Sequence, residues 1–418
     1  MEKELFRAII AENQEYIGRV TLVQRPLDLE EYGNYVFVGV RQAGKSYLLY
    51  QRIQQLLANG VEIENIVYVN FDDERLQGMS VTDLDLILQA YHSMYDSQPI
   101  FFFDEIQNVE GWANFARRLA NQKYRIYITG SNAKMLSRDI ETVLGGRYLD
   151  ISVFPYSFSE YLKAVGVLLS KNWQYGRKAN ELQRHFRTYF DWGGFPELVH
   201  FQEKRVWLNS LYNRIFFNDL VVRHKIKNED ALRLCVRRLA ESVKQPCSLN
   251  RLSNLIKATG TPCSPSTVME YVRYLQESCL LISIDNYVSK FVEKETIKKH
   301  YFVDNGLLHL FINNPNTSLL ENLCAITLYK KYAKGLYYYN KNIEVDFYVP
   351  DEGLAVQASY QMSDGETIER EVKALVALHG LHPLKRAMII TYEDEGEIVR
   401  DGLRIEIKPA WKWVLEGL

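Results

Sequence analysis

The sequence lacks the features of exported, membrane-spanning and metal-stabilised proteins. Its five cysteines never occur at C-x-x-C spacing, which argues against a structural zinc site and favours a reducing compartment. No window approaches the roughly 18 consecutive apolar residues of a membrane span. The N-terminal residues 1–6 contain no basic region followed by an apolar run, unlike an export signal. We therefore expect a cytoplasmic protein without membrane contact.

A strong net charge is also absent. The chain contains 50 Lys and Arg against 52 Asp and Glu, a formal net charge of −2, which excludes a global attraction to nucleic acid or acidic membranes. Basic charge is concentrated locally, because residues 221–300 contain 14 Lys and Arg against eight Asp and Glu. The 418 residues, 47% of them hydrophobic, suffice for roughly two to four domains with substantial cores.

The N-terminal third of the chain has an α/β pattern. Short β-rich runs at 35–38, 66–70, 100–103 and 126–129 alternate with helical stretches. This alternation is typical of a parallel sheet covered by helices on both faces, so we predict an α/β domain over residues 1–155. Within this domain and before the first β-rich run, residues 1–33 predict an amphipathic helix followed by a short strand near Val20–Val23.

A phosphate-binding loop follows the first of these runs. Residues 39–46 match G-x-x-x-x-G-K-[ST], directly after the strand 35–38 and before the helical pattern 47–57, which is the context this motif requires. Backbone N–H groups of the glycine-rich turn would surround phosphates, Lys45 would neutralise them, and the Ser46 hydroxyl would bind Mg²⁺. The predicted nucleotide-binding residues are Gly39, Val40, Arg41, Gln42, Ala43, Gly44, Lys45, Ser46 and Tyr47.

An acidic pair, Asp104-Glu105, ends the apolar run 100–103. A buried strand that ends in two acids is costly unless the acids are used. We predict that Asp104 holds the Mg²⁺ shell and that Glu105 is the base that polarises the attacking water. The pattern therefore predicts a nucleoside-triphosphate hydrolase.

Two further catalytic candidates follow the run 126–129. Asn132 or Ser131 would read the γ-phosphate at the end of this strand, and we select Asn132. Arg147, after a flexible pair of glycines, would reach a phosphate in its own or a neighbouring subunit. Arg138 is the alternative to Arg147, and a surface ion pair is the alternative for both arginines.

These residues resemble the prokaryotic AAA-type P-loop ATPases that carry a C-terminal domain of unknown function with a restriction-endonuclease-like core. The matching stretches are 39–46, 70–75, 103–107, 129–133, 145–147 with 155–160, 193–197, 344–347 and 411–413. The resemblance spans nearly the whole chain and implies ATP rather than GTP. It implies a parallel-sheet P-loop NTPase domain, then a helical and winged-helix module, then an α+β restriction-endonuclease-like domain.

The middle of the chain predicts two helical modules, a linker or lid over 156–230 and a winged-helix-like module over 231–303. Within the latter, Ser264-Pro265 opens a helix whose predicted apolar face is Val268, Tyr271, Val272 and Leu275. Its predicted outer face is poor in Arg, Lys and Asn, so contact with phosphates is favoured over reading of bases. Nucleic-acid binding through 221–300 and a protein contact both remain open.

The C-terminal residues 304–418 predict an α+β domain. In restriction-like nucleases a helix Glu, a strand Asp and an acid-x-Lys pair converge on Mg²⁺. The corresponding positions are Glu321, Asp346 and 357–359, where Gln357 replaces the acid and Ser359 replaces the lysine. Lys373 on the next predicted helix is the candidate replacement for that lysine. We expect this domain not to be catalytic.

The sequence as a whole predicts an ATP-binding, Mg²⁺-dependent ATP-hydrolysing switch or motor. Nucleotide state would be coupled to accessory modules that contact nucleic acid or a protein client, and a homo-oligomer is compatible with Arg147 acting on a neighbouring subunit. One alternative is a slowly hydrolysing, nucleotide-dependent signalling module, and another is an ATP-regulated nuclease. Glu105 favours the hydrolysing switch over the first alternative.

Overall fold

The structure is a computed structural model that describes residues 1–136, 142–362 and 365–417. The chain divides into two compact units, Met1–Phe154 and Pro155–Leu418. In the part of the chain that the structure describes, no helix combines the length and the hydrophobicity needed to cross a bilayer.

The first unit is a parallel sheet with helices. Its helices are α1 (Lys3–Ile17), α2 (Lys45–Ala58), α3 (Leu84–His92) and α4 (Trp112–Asn121), and its strands are β1 (Asn34–Val38), β2 (Ile66–Asn70), β3 (Ile100–Asp104), β4 (Arg125–Gly130) and β5 (Tyr148–Ser152). The strands pair in the order β2-β3-β4-β1-β5, and these pairs are all parallel. The predicted parallel α/β domain is confirmed, with β5 as a strand that the sequence analysis did not predict.

Strand order decides which loops meet. Strand β4 lies between β1 and β3, and all three are parallel, so the loops that follow them emerge at one edge of the sheet. The centre is packed with aromatic rings, since Phe101, Phe102 and Phe103 of β3 have no exposed surface and Tyr127 stacks on Phe102 at 4.7 Å between ring centroids. This rigid core fixes the loop ends relative to one another.

The predicted strand near Val20–Val23 is wrong, because residues 18–33 contain no strand. Side chains of α2 satisfy the backbone of this segment instead of a neighbouring strand. Gln51 accepts a hydrogen bond from the Arg25 N–H (2.9 Å) and donates one to the Arg25 carbonyl (2.8 Å), and Gln54 donates to the Val20 carbonyl (2.8 Å). The segment is therefore held along α2 without sheet pairing.

The second unit begins with helices and ends in a mixed sheet. Its helices are α5 (Phe158–Ala164), α6 (Gly176–Trp192), α7 (Lys204–Arg214, continued by a π-helical stretch Ile215–Val222), α8 (Glu229–Glu241), α9 (Leu249–Lys257), α10 (Pro265–Glu277), α11 (Phe291–Thr296), α12 (Asn305–His309), α13 (Asn316–Tyr332), α14 (Gly365–Leu381) and α15 (Ala410–Glu416). Its strands are β6 (Cys247–Ser248), β7 (Leu281–Asn286), β8 (Ile297–Phe302), β9 (Tyr337–Asn340), β10 (Glu344–Val349), β11 (Leu354–Ala358), β12 (Arg386–Thr391), β13 (Gly396–Arg400) and β14 (Leu403–Pro409).

A nine-stranded sheet joins both C-terminal modules, in the order β13-β14-β12-β11-β10-β9-β7-β8-β6. Strands β6 to β8 belong to the predicted module 231–303, and β9 to β14 belong to 304–418. The junction is the parallel pair β7-β9, where Asp285 faces Tyr337. The predicted division at residue 303 therefore runs through a continuous sheet.

The module 231–303 has the element order α8-β6-α9-α10-β7-α11-β8. Strand β8 pairs antiparallel with both β6 and β7. The Ser264 side chain accepts the Thr267 N–H at the start of α10, and Pro265 occupies the first turn. The predicted apolar face of α10 is confirmed as buried, namely Val268, Tyr271, Val272 and Leu275.

Candidate active site

The turn between β1 and α2 has a backbone that only glycine permits at two positions. Gly44 precedes α2 with φ of 93°, in the left-handed region. At Gly39, a Cβ atom would lie 1.9 Å from the carbonyl oxygen of Val153, at the end of β5. The spacing of the two glycines in the motif thus follows from a left-handed turn and from close packing against β5.

Lys45 is folded into this turn with 4% of its surface exposed. Its Nζ donates hydrogen bonds to the carbonyl oxygens of Gly39 and Val40, both at 3.2 Å, and forms an ion pair with Glu105 Oε1, also at 3.2 Å. The ammonium therefore lies at the edge of the sheet where β1 and β3 end. The structure brings together the predicted phosphate-binding lysine and the predicted base.

Asp104 ends β3 with 1% of its surface exposed. Its carboxylate accepts hydrogen bonds from the hydroxyls of Tyr68 (2.6 Å), Thr129 and Ser46. Burial raises the pKa of Asp104, and the neighbouring Glu105 carboxylate raises it further. Ser46 and Asp104 thus present adjacent hydroxyl and carboxylate oxygens, a donor set that fits Mg²⁺ completed by phosphates and water.

Glu105 has a strained backbone and a well-defined carboxylate. Its φ of 53° is left-handed for a non-glycine residue, and its N–H donates to Thr129 Oγ1 at 3.0 Å. Its Oε2 accepts hydrogen bonds from Gln107 Nε2 (2.5 Å) and from the Ser131 N–H (3.1 Å). Burial opposes ionisation, but the charge of Lys45 and these hydrogen bonds outweigh it and lower the pKa of Glu105 to about 2.

Thr129 and Tyr68 contribute to the site although the sequence analysis did not select them. Thr129, at the end of β4, has no exposed surface and bridges the Asp104 carboxylate and the Glu105 N–H. Tyr68 lies on β2, the strand that pairs with β3. It comes two residues before Asn70, and Asn70 is the residue that pairs with Asp104. Strand register is the signal that could have found both residues, since polar side chains at neighbouring strand ends must meet.

Asn132 is close to this edge but is engaged elsewhere. Its Oδ1 accepts a hydrogen bond from the Lys134 N–H at 2.8 Å, in the short 3₁₀ helix Ala133–Leu136. The neighbouring Ser131, which the sequence offered as the alternative, is buried and contacts Glu105 through its backbone. Asn132 therefore stays a prediction, and Ser131 is the residue that the structure connects to the base.

Arg147 lies at the opposite edge of the sheet. It immediately precedes β5, and the first residue of β5, Tyr148, pairs with Asn34, the first residue of the parallel strand β1. The phosphate-binding loop follows Val38, so about 13 Å of strand, at about 3.3 Å per residue, separates the two ends. Its exposed guanidinium donates to the Gly145 carbonyl at 3.3 Å. The alternative, Arg138, lies outside the described residues.

The remaining predicted nucleotide-binding residues line the same turn. Val40 and Ala43 are buried, Arg41 forms a 3.8 Å ion pair with Asp72, and Gln42 has a left-handed φ of 62°. Tyr47, in the first turn of α2, is 52% exposed. These residues therefore all lie in the turn or in the first turn of α2, as the motif predicts.

The second unit contains the predicted restriction-like positions. Glu321 on α13 and Asp346 on β10 line one cavity of about 750 Å³, together with Lys373 on α14. Gln357 on β11 also lines it, but its side chain bonds to the backbone of β10, accepting from the Asp346 N–H at 2.8 Å and donating to the Glu344 carbonyl at 3.2 Å. Gln357 is thus a structural residue, and its position supplies no metal ligand.

The parallel sheet, the phosphate-binding loop and the acidic end of β3 together have the arrangement of a P-loop nucleotide-binding domain of the AAA type. A family model described as "AAA domain" matches residues 31–162, and one described as a domain of unknown function (DUF8612) matches residues 183–318. The second match spans most of the helical module, the whole of 231–303 and the start of the C-terminal module.

The chain belongs to the family of uncharacterized protein MJ1544 of Methanocaldococcus jannaschii, to which it is 31% identical over 434 aligned residues, covering 99% of this chain and 96% of that protein. It is also 30% identical to an uncharacterized protein of Haemophilus influenzae over 393 residues, covering 91% of this chain and 94% of that protein. Among solved structures, the Walker-type ATPase PABY2304 of Pyrococcus abyssi matches with a TM-score of 0.44 and 12% identity, covering 74% of this chain and 95% of that one.

Proposed function

We propose that the protein binds and hydrolyses ATP with Mg²⁺ at the edge of the first sheet. The observation that carries this proposal is the meeting of Lys45, Asp104 and Glu105, with the Lys45 ammonium 3.2 Å from the Glu105 carboxylate. Residues 39–47 hold the nucleotide, with Lys45 on its β- and γ-phosphates. Ser46 and Asp104 hold Mg²⁺, which neutralises charge on the phosphates when bound.

Lys45 also controls the basicity of Glu105. A carboxylate whose pKa is lowered to about 2 is a weak base, and the Lys45 charge is the largest influence that lowers it. When Lys45 turns to phosphates, Glu105 loses its ion pair while it stays buried, so its pKa rises. Nucleotide binding thereby converts Glu105 into a better acceptor for the proton of the attacking water. Ser131, Gln107 and Thr129 keep its position.

The second unit supplies the accessory modules, in our proposal a winged-helix module over 231–303 and a restriction-endonuclease-like module over 304–418. The order α8-β6-α9-α10-β7-α11-β8, two capped helices followed by an antiparallel strand pair, supports the first, and the mixed sheet β9 to β12 with Glu321 and Asp346 in one cavity supports the second. The surplus of basic residues in 221–300 favours contact with phosphates of nucleic acid, and a protein client is the competing partner.

The proposal is tested by ATPase turnover of the purified full chain, measured alone and with DNA, RNA or cell extract. A switch or motor should hydrolyse ATP and respond to its client by a change in turnover. The alternative, a slowly hydrolysing signalling module, predicts tight ATP binding, low turnover with every addition and ATP-dependent association with a partner. Absence of both ATP binding and turnover would contradict the proposal and the alternative together.

Arg147 acts on a neighbouring subunit in this proposal, because it lies at the sheet edge opposite to the phosphate-binding loop of its own chain. We expect Arg147→Ala to lower turnover about 10³-fold or more, the usual contribution of such an arginine, while ATP affinity stays unchanged. Steady-state hydrolysis and calorimetric ATP titration measure the two quantities. Arg117→Ala, which removes another exposed arginine of the same unit, is the matched control.

Mixing two inactive variants tests the assignment to a neighbouring subunit. Arg147→Ala keeps its phosphate-binding loop, and Lys45→Ala keeps its arginine, so a mixture should recover hydrolysis at sites that combine both intact parts. Recovery that rises with protein concentration supports action between subunits. Full activity of Arg147→Ala, or a mixture no more active than its components, contradicts it.

A further inference from the structure

A buried lysine contacts three of the carboxylates that line the cavity in the second unit. Lys299, on β8, has no exposed surface, and its Nζ lies 3.0 Å from Asp346 Oδ1, 3.2 Å from Glu321 Oε1 and 3.4 Å from Glu344 Oε1. The Tyr301 hydroxyl, two residues along the same strand face, donates to Glu321 Oε1 at 2.8 Å. One ammonium is thus shared by carboxylates from α13 and β10.

This arrangement differs from an ordinary ion pair in its geometry. Three carboxylates from two elements converge on one point within 3.4 Å, and a cation occupies that point. Burial alone disfavours a charged lysine, but Asp346, Glu321 and Glu344 outweigh it and raise the pKa of Lys299 above its usual range. One ammonium thus occupies the point where carboxylates from two elements of the fold meet.

The same carboxylates are those that a restriction-like metal centre would use. Glu321 and Asp346 occupy the predicted ligand positions, and Glu344 lies two residues before Asp346 on the same face of β10. Within the described ranges, no group of three or more His, Cys, Asp or Glu side chains is arranged to hold a metal ion. A divalent ion does not fit here, because Lys299 already fills the position between the carboxylates.

We propose that Lys299 is a built-in cation that takes the place of a divalent metal ion between Glu321, Glu344 and Asp346. The natural chain accordingly binds no divalent ion at this cavity and cleaves no nucleic acid there. Removal of the ammonium vacates a position that lies within 3.4 Å of three carboxylates, and after small side-chain adjustments their oxygens would suit Mn²⁺, Mg²⁺ or Ca²⁺. The metal site is therefore latent in the fold, and a single side chain keeps it closed.

Lys299→Met tests this proposal, since methionine keeps the unbranched stem of the side chain and lacks the terminal ammonium. We expect the full-length variant, without nucleotide, to bind one more Mn²⁺ per chain than the parent. The affinity for this additional ion should be at least tenfold tighter than any affinity of the parent for Mn²⁺ at this cavity. Electron paramagnetic resonance of free Mn²⁺ measures both quantities. Adding Asp346→Asn should remove the extra ion. Lys298→Met, which removes the neighbouring lysine paired with Asp285 at 2.9 Å, is the matched control and should resemble the parent.

Stability provides a second measurement that works even where Lys299→Met folds poorly. A carboxylate cluster without its counter-charge, in which Glu321 is buried, should lower the unfolding midpoint by roughly 10 °C, and Mn²⁺ or Ca²⁺ should restore it. The double change Lys299→Met with Glu321→Gln removes one negative charge together with the positive one, so it should be more stable than Lys299→Met alone. Parent-like stability of Lys299→Met, with no gain on addition of Mn²⁺ or Ca²⁺, would show that Lys299 does not serve these carboxylates.

Two results would overturn the proposal. The first is a folded Lys299→Met that binds no more Mn²⁺ than the parent, which would mean that the carboxylates do not converge on a cation. The second is a parent that itself binds Mn²⁺ and cleaves plasmid, single-stranded DNA or RNA, with both properties lost in Asp346→Ala. Any Mn²⁺ held at the edge of the first sheet is common to all these variants and cancels in the comparison.

Discussion

Lys45→Ala is expected to lower ATP affinity by at least about 100-fold, because charged hydrogen bonds to phosphate are each worth about 1.5–3 kcal/mol. The structure adds a second effect of the same sign. Lys45 is the ion-pair partner of Glu105, so its removal leaves a buried carboxylate facing the phosphates. Calorimetric titration of the full chain with MgATP measures the total loss.

The double variant Lys45→Ala with Glu105→Gln separates these two effects. If the unpaired carboxylate repels phosphate, the double variant should bind ATP more tightly than Lys45→Ala, though more weakly than the parent. Lys3→Ala, an exposed lysine on α1, is the control for loss of a surface charge. Parent-like affinity in Lys45→Ala would contradict the assignment of residues 39–46 as the nucleotide site.

Local patterns predicted the first unit well because the site depends on short stretches of chain. The glycine spacing of the loop and the acids after an apolar run each belong to one strand and the turn that follows it, and parallel pairing brings those turns to one edge. The apolar face of α10 was predictable for the same reason, since helical periodicity fixes which side chains point inward.

Long-range contacts account for what the patterns missed. Lys299 looks like one residue of a basic run, Lys298-Lys299-His300, and only the packing of β8 against α13 and β10 places it among carboxylates. The sequence offers Lys373 for this site because it lies on the helix that follows residues 357–359. The lysine that reaches the carboxylates is instead Lys299, which belongs to the preceding module. The Val20–Val23 segment is mostly apolar, but its Val20 carbonyl accepts a hydrogen bond from Gln54 of α2 rather than from a neighbouring strand.

Arg147 illustrates the same limit in the first unit. Its sequence context, after two glycines, suggested reach toward a phosphate but not a direction. Register supplied the direction, because a residue at the start of a parallel strand lies at the edge away from the loops that follow the strands. Identifying β5 as a strand was the missing step, and the alternation of apolar and polar residues in Leu149-Asp150-Ile151-Ser152 is the signal that could have found it.

Glu105→Gln is expected to reduce turnover by about 10²- to 10⁴-fold, the usual contribution of a general base, while ATP remains bound. Glutamine keeps the shape of the side chain and an oxygen that can accept the Ser131 N–H, so the position is preserved. It removes the negative charge that holds Lys45, which leaves the ammonium available to phosphates. ATP affinity should therefore be equal to that of the parent or higher, in contrast to Lys45→Ala.

Single-turnover hydrolysis of bound ATP measures the chemical step directly, and titration of the same samples measures affinity. Glu110→Gln, an exposed acid that precedes α4, controls for loss of one negative charge near the site. A Glu105→Gln variant that hydrolyses as fast as the parent would show that another group accepts the proton. If parent and variant are equally slow but both associate with a partner only in ATP, the protein uses its nucleotide for binding, and the signalling alternative replaces the hydrolytic switch.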